Sequence, residues 1–226
     1  MKSELKTLAR DGILRAAINT GNRALVQIDG EKFKGVSPAL AQRLADEIGA
    51  KMVPVVYSGA GKVFADAGND IWDIGFLAID PMRAEQIAFT QPYIVIEASY
   101  AVRATSAFKD IDDIDKPGVQ VLTAKGSAYD MHLTKTLQNA QLERFGTPPE
   151  SFVAFQSGRC DAVAGVRASL EDFFGSNPDV RILPGALTSV HQAMVLPKRD
   201  DPRITALDDF VARAIADGFV KAAIAG

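Results

Sequence analysis

Cysteine is almost missing from this chain: of 226 residues only Cys160 is one. That excludes an intrachain disulfide and any cysteine-cluster metal site. Histidine is nearly as scarce, and His132 and His191 lie too far apart in sequence to suggest a zinc centre. There is no basic tract, the net charge is −3 and the sequence pI is about 5.5, so nucleic acid is not an expected partner. No apolar run approaches the roughly 18 residues that a membrane-spanning helix needs. Catalytic signatures are lacking too: there is no G-x-S-x-G, no phosphate loop and no Ser-His-Asp spacing. No cofactor or metal is expected.

What is there is an ordinary globular balance, 47% hydrophobic and 23% charged. The length allows one large domain or two compact lobes. The opening stretch, "MKSELKTLARDGILRAAIN", is charged from the start and lacks the apolar core of a secretory signal. The expectation is a cytoplasmic chain as written, or a periplasmic one whose leader was removed.

The pattern along the chain alternates strands and helices. A short helix over 3–10 and a turn at Asp11-Gly12 precede a buried strand over 13–19. Asp29-Gly30 reads as a hairpin turn. In "SPALAQRLADEIGAK", Leu40, Leu44 and Ile48 make an apolar helical stripe, with Ser37 as N-cap, Pro38 in the first turn and Gly49 as stop. Strands follow over 52–57, 72–79 and 93–103, with short helical pieces between them. This β-α-β-α-β order suggests a parallel α/β sheet. A second cycle runs through a strand over 119–124, a helix over 126–140, the strand-like "LERF", a proline-started helix and a strand over 160–166 that takes Cys160 as a small core residue. A strand over 189–199 then returns toward the first cycle, and an amphipathic helical region closes the chain. Two α/β lobes joined by crossing strands near 98–105 and 188–195 fit this order, and a cleft between them is the natural ligand site.

Four stretches, in order, resemble one family. "GVSPALAQRLADEIG" is similar to the segment "GxDxDLAxxLAxxLG" of bacterial extracellular solute-binding proteins of the polar amino-acid type, family 3. "WDIGFLAIDPMRAEQIAFTQPY", "IDDIDKPGVQVLTAKGSAYDMHL" and "FQSGRCDAVAGV" resemble three further segments of that family, so the likeness spans nearly the whole chain. The resemblance implies a two-lobe type II periplasmic-binding fold. One lobe would be residues 1–103 plus 190–226 and the other 104–189. It also implies a small-molecule ligand, usually an amino acid, delivered by a monomer to an ABC-importer membrane subunit.

Carried over residue by residue, Arg83 matches the arginine that grips the ligand carboxylate, and its planar donor fork suits that task. The helix opening at Gly126-Ser127-Ala128 offers free backbone N–H groups and a hydroxyl to the same anion. Two departures stand out. The aspartate expected to meet the ligand ammonium is Val166, followed by Arg167, and an apolar side chain leaves a buried ammonium unpaired. At the motif "GxDxDLA", Ser37 and Ala39 replace the acids. Asn19 and Asn22 occupy the region where a stacking aromatic is usual, and Phe76 and Ala78 stand at the small hydroxyl positions. Three readings stay open. The ligand is a carboxylate without an α-amino group; or its ammonium finds another acid, with Glu97 the best candidate; or the fold has been diverted to another task. Arg167 is a candidate second anion contact, hinting at a diacid. Tyr129 and Phe76 are candidates for an apolar wall, and the pair His191-Gln192 reads as hinge or core. The runner-up function is a cyclohexadienyl-dehydratase-like enzyme with Glu97 as its acid, and a cytoplasmic ligand sensor is the third.

Overall fold

A computed structural model describes residues 2–30 and 32–225. The chain starts with a short helix, α1 (Lys2–Lys6), and strand β1 (Ile13–Asn19). A hairpin, β2 (Gln27–Asp29) and β3 (Lys32–Lys34), turns at Gly30, whose φ of 60° suits glycine; Glu31 lies outside the described residues. Helix α2 (Val36–Ile48) then returns the chain to β4 (Lys51–Tyr57), which pairs parallel to β1 from Ile13–Lys51 to Asn19–Tyr57.

The α2 stripe buries Val36, Leu40, Leu44 and Ile48, spaced four residues apart. Its end is a Schellman turn: Gly49 is left-handed, Ala50 N–H donates to Ala45 O and Gly49 N–H to Asp46 O. Its start differs from the expected one. Gly35 is the N-cap, with φ 100° and no side-chain cap, because any Cβ there would come within 2.4 Å of Leu25 O. Ser37 lies inside the helix, where its hydroxyl meets that of buried Tyr93 at 3.1 Å.

Helix α3 (Ala60–Ala65), strand β5 (Gly75–Ala78) and one-turn helix α4 (Pro81–Ala84) lead into the long strand β6 (Ala88–Arg103). β6 begins five residues earlier than the sequence pattern suggests. Pro92 conceals it, since a proline cannot donate to a ladder. The pairing with the last strand shifts register around Pro92 and Ala193, which absorbs the missing donor. The second half comprises β7 (Gln120–Ala124), α5 (Ala128–Thr136), β8 (Gln141–Phe145), α6 (Pro148–Gln156), β9 (Ala162–Val166), α7 (Arg167–Phe174) and β10 (Val180–Ile182). Then β11 (Thr188–Leu196) returns, and α8 (Ile204–Ala216) and α9 (Phe219–Ala225) close the chain, broken at Gly218 with φ 80°.

Helix α5 stops at Thr136 and not at 140. The Asp115 carboxylate accepts from the N–H groups of Gln138, Asn139 and Ala140 at 2.7–3.2 Å, holding them in a turn, and these bonds pull its pKa down. Cys160 is not a core residue of a strand. It is half-buried at φ 56° in the turn before β9, and its Sγ meets Glu143 Oε2 at 3.2 Å.

The sheet is mixed, not parallel. Among the described residues the order is β5-β11-β6-β9-β7-β8, with β10 on the far end of β6. β7 runs parallel to β8 and β9, whereas β6 runs antiparallel to β9, β10 and β11. The early half of β6 pairs with β11 and its late half with β9 and β10, so this strand passes from one half of the molecule to the other. Two core clusters gather around α2 and α8 and around Trp72; two more gather around Tyr100 and Val121 and around Phe152, Phe155 and Phe174. The cleft lies between these two pairs of cores.

Candidate functional site: an inter-lobe cleft with a buried arginine

Arg83 is placed by a local device. Asp80 caps α4, accepting from Met82 N–H at 2.9 Å and Arg83 N–H at 3.4 Å, and Pro81 fits the first turn. The side chain is 1% exposed. Its Nη1 donates to Ala78 O at 3.0 Å, and its Nη2 reaches across the cleft to Gly126 O at 2.7 Å. The Phe64 ring lies 5.9 Å from the guanidinium carbon. Among the described residues no carboxylate forms an ion pair with it. Burial pulls its pKa down to about 10 against the opposing pull of Asp80, so it stays charged at neutral pH.

Opposite stands the start of α5. Ser127 Oγ accepts from Asp130 N–H at 3.0 Å, and Asp130 Oδ2 accepts from Gly126 N–H at 2.8 Å. Ser127 N–H donates to Ala124 O. The N–H groups of Gly126 and Ser127, expected to be free, are therefore engaged. Those of Ala128 and Tyr129 have no partner among the described residues, and they point with the positive end of the helix dipole.

These groups border a cavity of about 50 Å³. Asn19, Asn22, Phe76, Ala78, Arg83, Ser127, Ala128, Tyr129 and Val166 all line it. Asn19 is partly spoken for, since its Oδ1 accepts from Gly21 N–H at 3.1 Å. Ala78 gives its carbonyl to Arg83, and Gly126 likewise takes part through its carbonyl and not its N–H. Asn22 Oδ1 is buried without a hydrogen-bond partner among the described residues, and the Tyr129 hydroxyl is buried with only the Ser127 side chain beside it. Burial pushes the Tyr129 phenol up, with the nearby Ser127 side chain opposing the shift, so it stays protonated.

Two expected residues are elsewhere. Burial alternates along this part of β6, and Glu97 falls on its solvent phase, beside exposed Val95, with its side chain 56% exposed. Arg167 turns away from the cleft, donating to the carbonyls of Leu183 and Gly185 and lying 3.5 Å from Glu97. Neither lines the cavity. In turn the sequence reading missed Lys125, Ser169 and a ligand-side role for Gln192. Gln192 carried a signal: it is a buried polar residue among apolar neighbours on β11, with His191 exposed beside it. Lys125 carried none beyond its place next to Gly126. Among the described lining residues Arg83 and Lys125 are cationic and none is acidic. The described residues hold no group of three His, Cys, Asp or Glu side chains placed for a metal ion, and no helix long and apolar enough to cross a membrane.

Further contacts join the rims of the cleft. Arg23 N–H donates to Ser169 Oγ at 3.1 Å, Arg23 Nε pairs with Asp172 at 3.0 Å, and Lys135 lies 3.5 Å from Asp80.

A mixed α/β fold in two halves, with a cleft between them, defines a two-lobe binding-protein architecture. The model of "Bacterial extracellular solute-binding proteins, family 3" matches residues 14–225, and the chain belongs to this family. It is 29% identical over 110 residues to a glutamine-binding protein of Geobacillus stearothermophilus, a match covering 49% of this chain and 42% of that relative. It is 23% identical to the L-cystine-binding protein TcyJ of Escherichia coli K12, covering 96% and 86%. It is also 27% identical to a cyclohexadienyl dehydratase of Pseudomonas aeruginosa, covering 69% and 58%. Among solved structures, a mutant of ArgBP from T. maritima superposes with a TM-score of 0.83 at 22% identity, covering 98% of this chain and 97% of that one.

Proposed function

We propose that this solute-binding protein captures a small carboxylate-bearing ligand between its two lobes, residues 1–103 plus 190–226 and 104–189. The observation that carries the reading is Arg83, a buried guanidinium with no ion-pair partner among the described residues, facing the two unpaired N–H groups at the start of α5. A buried cation without a counterion is unfavourable, and a bound anion relieves it. A planar carboxylate matches both the fork and the helix end. Delivery to an ABC-importer membrane subunit is the role that family membership supports. It requires the chain outside the cytoplasm, and fractionating cells that carry the intact gene tests this. A calorimetric panel of amino, keto, hydroxy and dicarboxylic acids tests the ligand. Binding of at least one acid, lost in Arg83→Ala, supports the reading; binding unchanged in that variant refutes it.

The relative among dehydratases keeps an enzymatic reading in view. Such chemistry needs an acid at the leaving group. Glu97 faces solvent, and no described lining residue has a carboxyl, which weighs against it. Incubation with prephenate decides: phenylpyruvate formation would make the protein an enzyme.

A further inference from the structure

We infer that the ligand of this cleft is a small hydroxy acid and not an amino acid, its second polar group being an uncharged hydroxyl. This rests on the carboxylate reading above and concerns what lies beyond the carboxylate. Three features of the wall carry it.

The first is charge. The described lining holds buried Arg83, exposed Lys125 and no Asp, Glu or His. A carboxylate offsets the buried Arg83 charge. An ammonium on the same small molecule would restore a net positive charge, with no side-chain carboxylate to face it. The second is the apolar wall. Val166, at the end of β9, and Phe76, on β5, present only hydrocarbon to the cavity, and charge placed against hydrocarbon is strongly disfavoured.

The third is the set of polar groups left over. Asn22 Oδ1 is buried and unpaired, the buried Tyr129 hydroxyl across the cleft has only the Ser127 side chain beside it, and the buried Gln192 carboxamide lines the same cavity. Buried polar groups are normally hydrogen-bonded, so Asn22 Oδ1 awaits a donor, with the Tyr129 hydroxyl and the Gln192 carboxamide in reach of the same cavity. All three are neutral, and each can donate and accept. A hydroxyl answers such a set, because it gives one proton and takes others. A keto oxygen only accepts and leaves Asn22 Oδ1 unpaired. An ammonium only donates and brings the unwanted charge.

Isosteric acids make the test direct. Affinities are measured by calorimetry for 2-hydroxy, 2-keto and 2-amino acids sharing one side chain, in a methyl series (lactate, pyruvate, alanine, propionate) and an isobutyl series (2-hydroxy-4-methylpentanoate, 4-methyl-2-oxopentanoate, leucine). The hydroxy acid of the better-fitting series should bind at least tenfold tighter than its amino and keto counterparts. An amino or keto acid binding as tightly, or propionate matching lactate, overturns this inference and leaves carboxylate capture standing. No acid of either series binding overturns this inference, and carboxylate capture falls with it only if the wider panel of acids is also silent. Val166→Asp supplies a second arm: a carboxylate in the wall should reverse the order, raising amino-acid affinity at least tenfold relative to the hydroxy acid. Failure to shift that ratio in a variant that still melts cooperatively also counts against the inference.

Discussion

A buried guanidinium without a carboxylate beside it works against folding, even though Ala78 O and Gly126 O each accept one of its N–H groups. Arg83 therefore sets binding against stability. Arg83→Met, similar in length and apolar, should leave the melting temperature of the unliganded protein unchanged or a few degrees higher. The same change should weaken acid binding by at least about a hundredfold, given roughly 1.5–3 kcal/mol for each charge-assisted bond lost. Arg83→Lys should rescue little, because an ammonium lacks the fork. Paired melting and calorimetry check this, and a large loss of stability in Arg83→Met would show the residue to be structural. Cys160 makes a second case at this scale. Burial, and then the neighbouring Glu143 carboxylate, push its thiol up to about 12 from 9.0. A raised thiol pKa means less thiolate at a given pH, so alkylation of the native protein at pH 8 should run about a thousandfold slower than that of an ordinary thiol. Glu143→Gln should speed it, as timed labelling would reveal; labelling at the rate of a free thiol contradicts the half-buried, acid-facing geometry.

Among the elements, what was readable from the sequence and what was not divide by range. The stripe and stop of α2 were legible because helix period and a glycine end are local signals. Arg83 was singled out only through the resemblance of its whole segment, turn, proline and Phe-x-x-Pro-Tyr run, to one family motif, since an arginine after a turn is by itself unremarkable. The end of α5 was not, since it is set by Asp115, more than 20 residues upstream of the N–H groups it holds. Nor was the outward turn of Glu97, because strand phase depends on which neighbours β6 acquires, and those come from β11 and β9. The start of β6 was hidden by Pro92, and the mixed sheet by the distance between its partners. One contact between elements makes its own prediction. The start of α3 abuts the start of α5: a Cβ at Gly61 would stand 2.8 Å from Lys125 O, and one at Gly126 would stand 3.0 Å from Gly61 Cα. Gly61→Ala adds a good helix former, so the unliganded protein should melt no lower than the parent. Yet the added methyl props the lobes apart, and affinity for the acid ligand should fall roughly tenfold, about 1.4 kcal/mol. Unaltered affinity would mean that the two helix starts do not meet in the liganded state.

At the scale of the whole molecule, affinity depends on how often the lobes meet as well as on what the ligand touches. The halves are joined by β6 and β11 and meet again through Arg83 to Gly126, Arg23 to Ser169 and Asp172, and Lys135 to Asp80. If the closed form alone grips the ligand, apparent affinity scales with the fraction closed. Arg23 tests this cleanly, because it bridges the rims and does not line the cavity. Its exposed pair with Asp172 is worth roughly 0.2–1 kcal/mol, and less at high salt. Arg23→Met keeps the backbone bond to Ser169 and removes the ion pair. It should weaken ligand binding by about 1.5- to 5-fold, mostly through faster release, as most interface changes do. Added salt should weaken the parent in the same direction and the variant less. Small-angle scattering supplies the independent reading: saturating ligand should lower the radius of gyration of both proteins, and the unliganded variant should be at least as expanded as the parent. Equal affinities for parent and variant at low salt, together with a radius that ligand does not change, would leave a rigid cleft and remove closure from the account of binding.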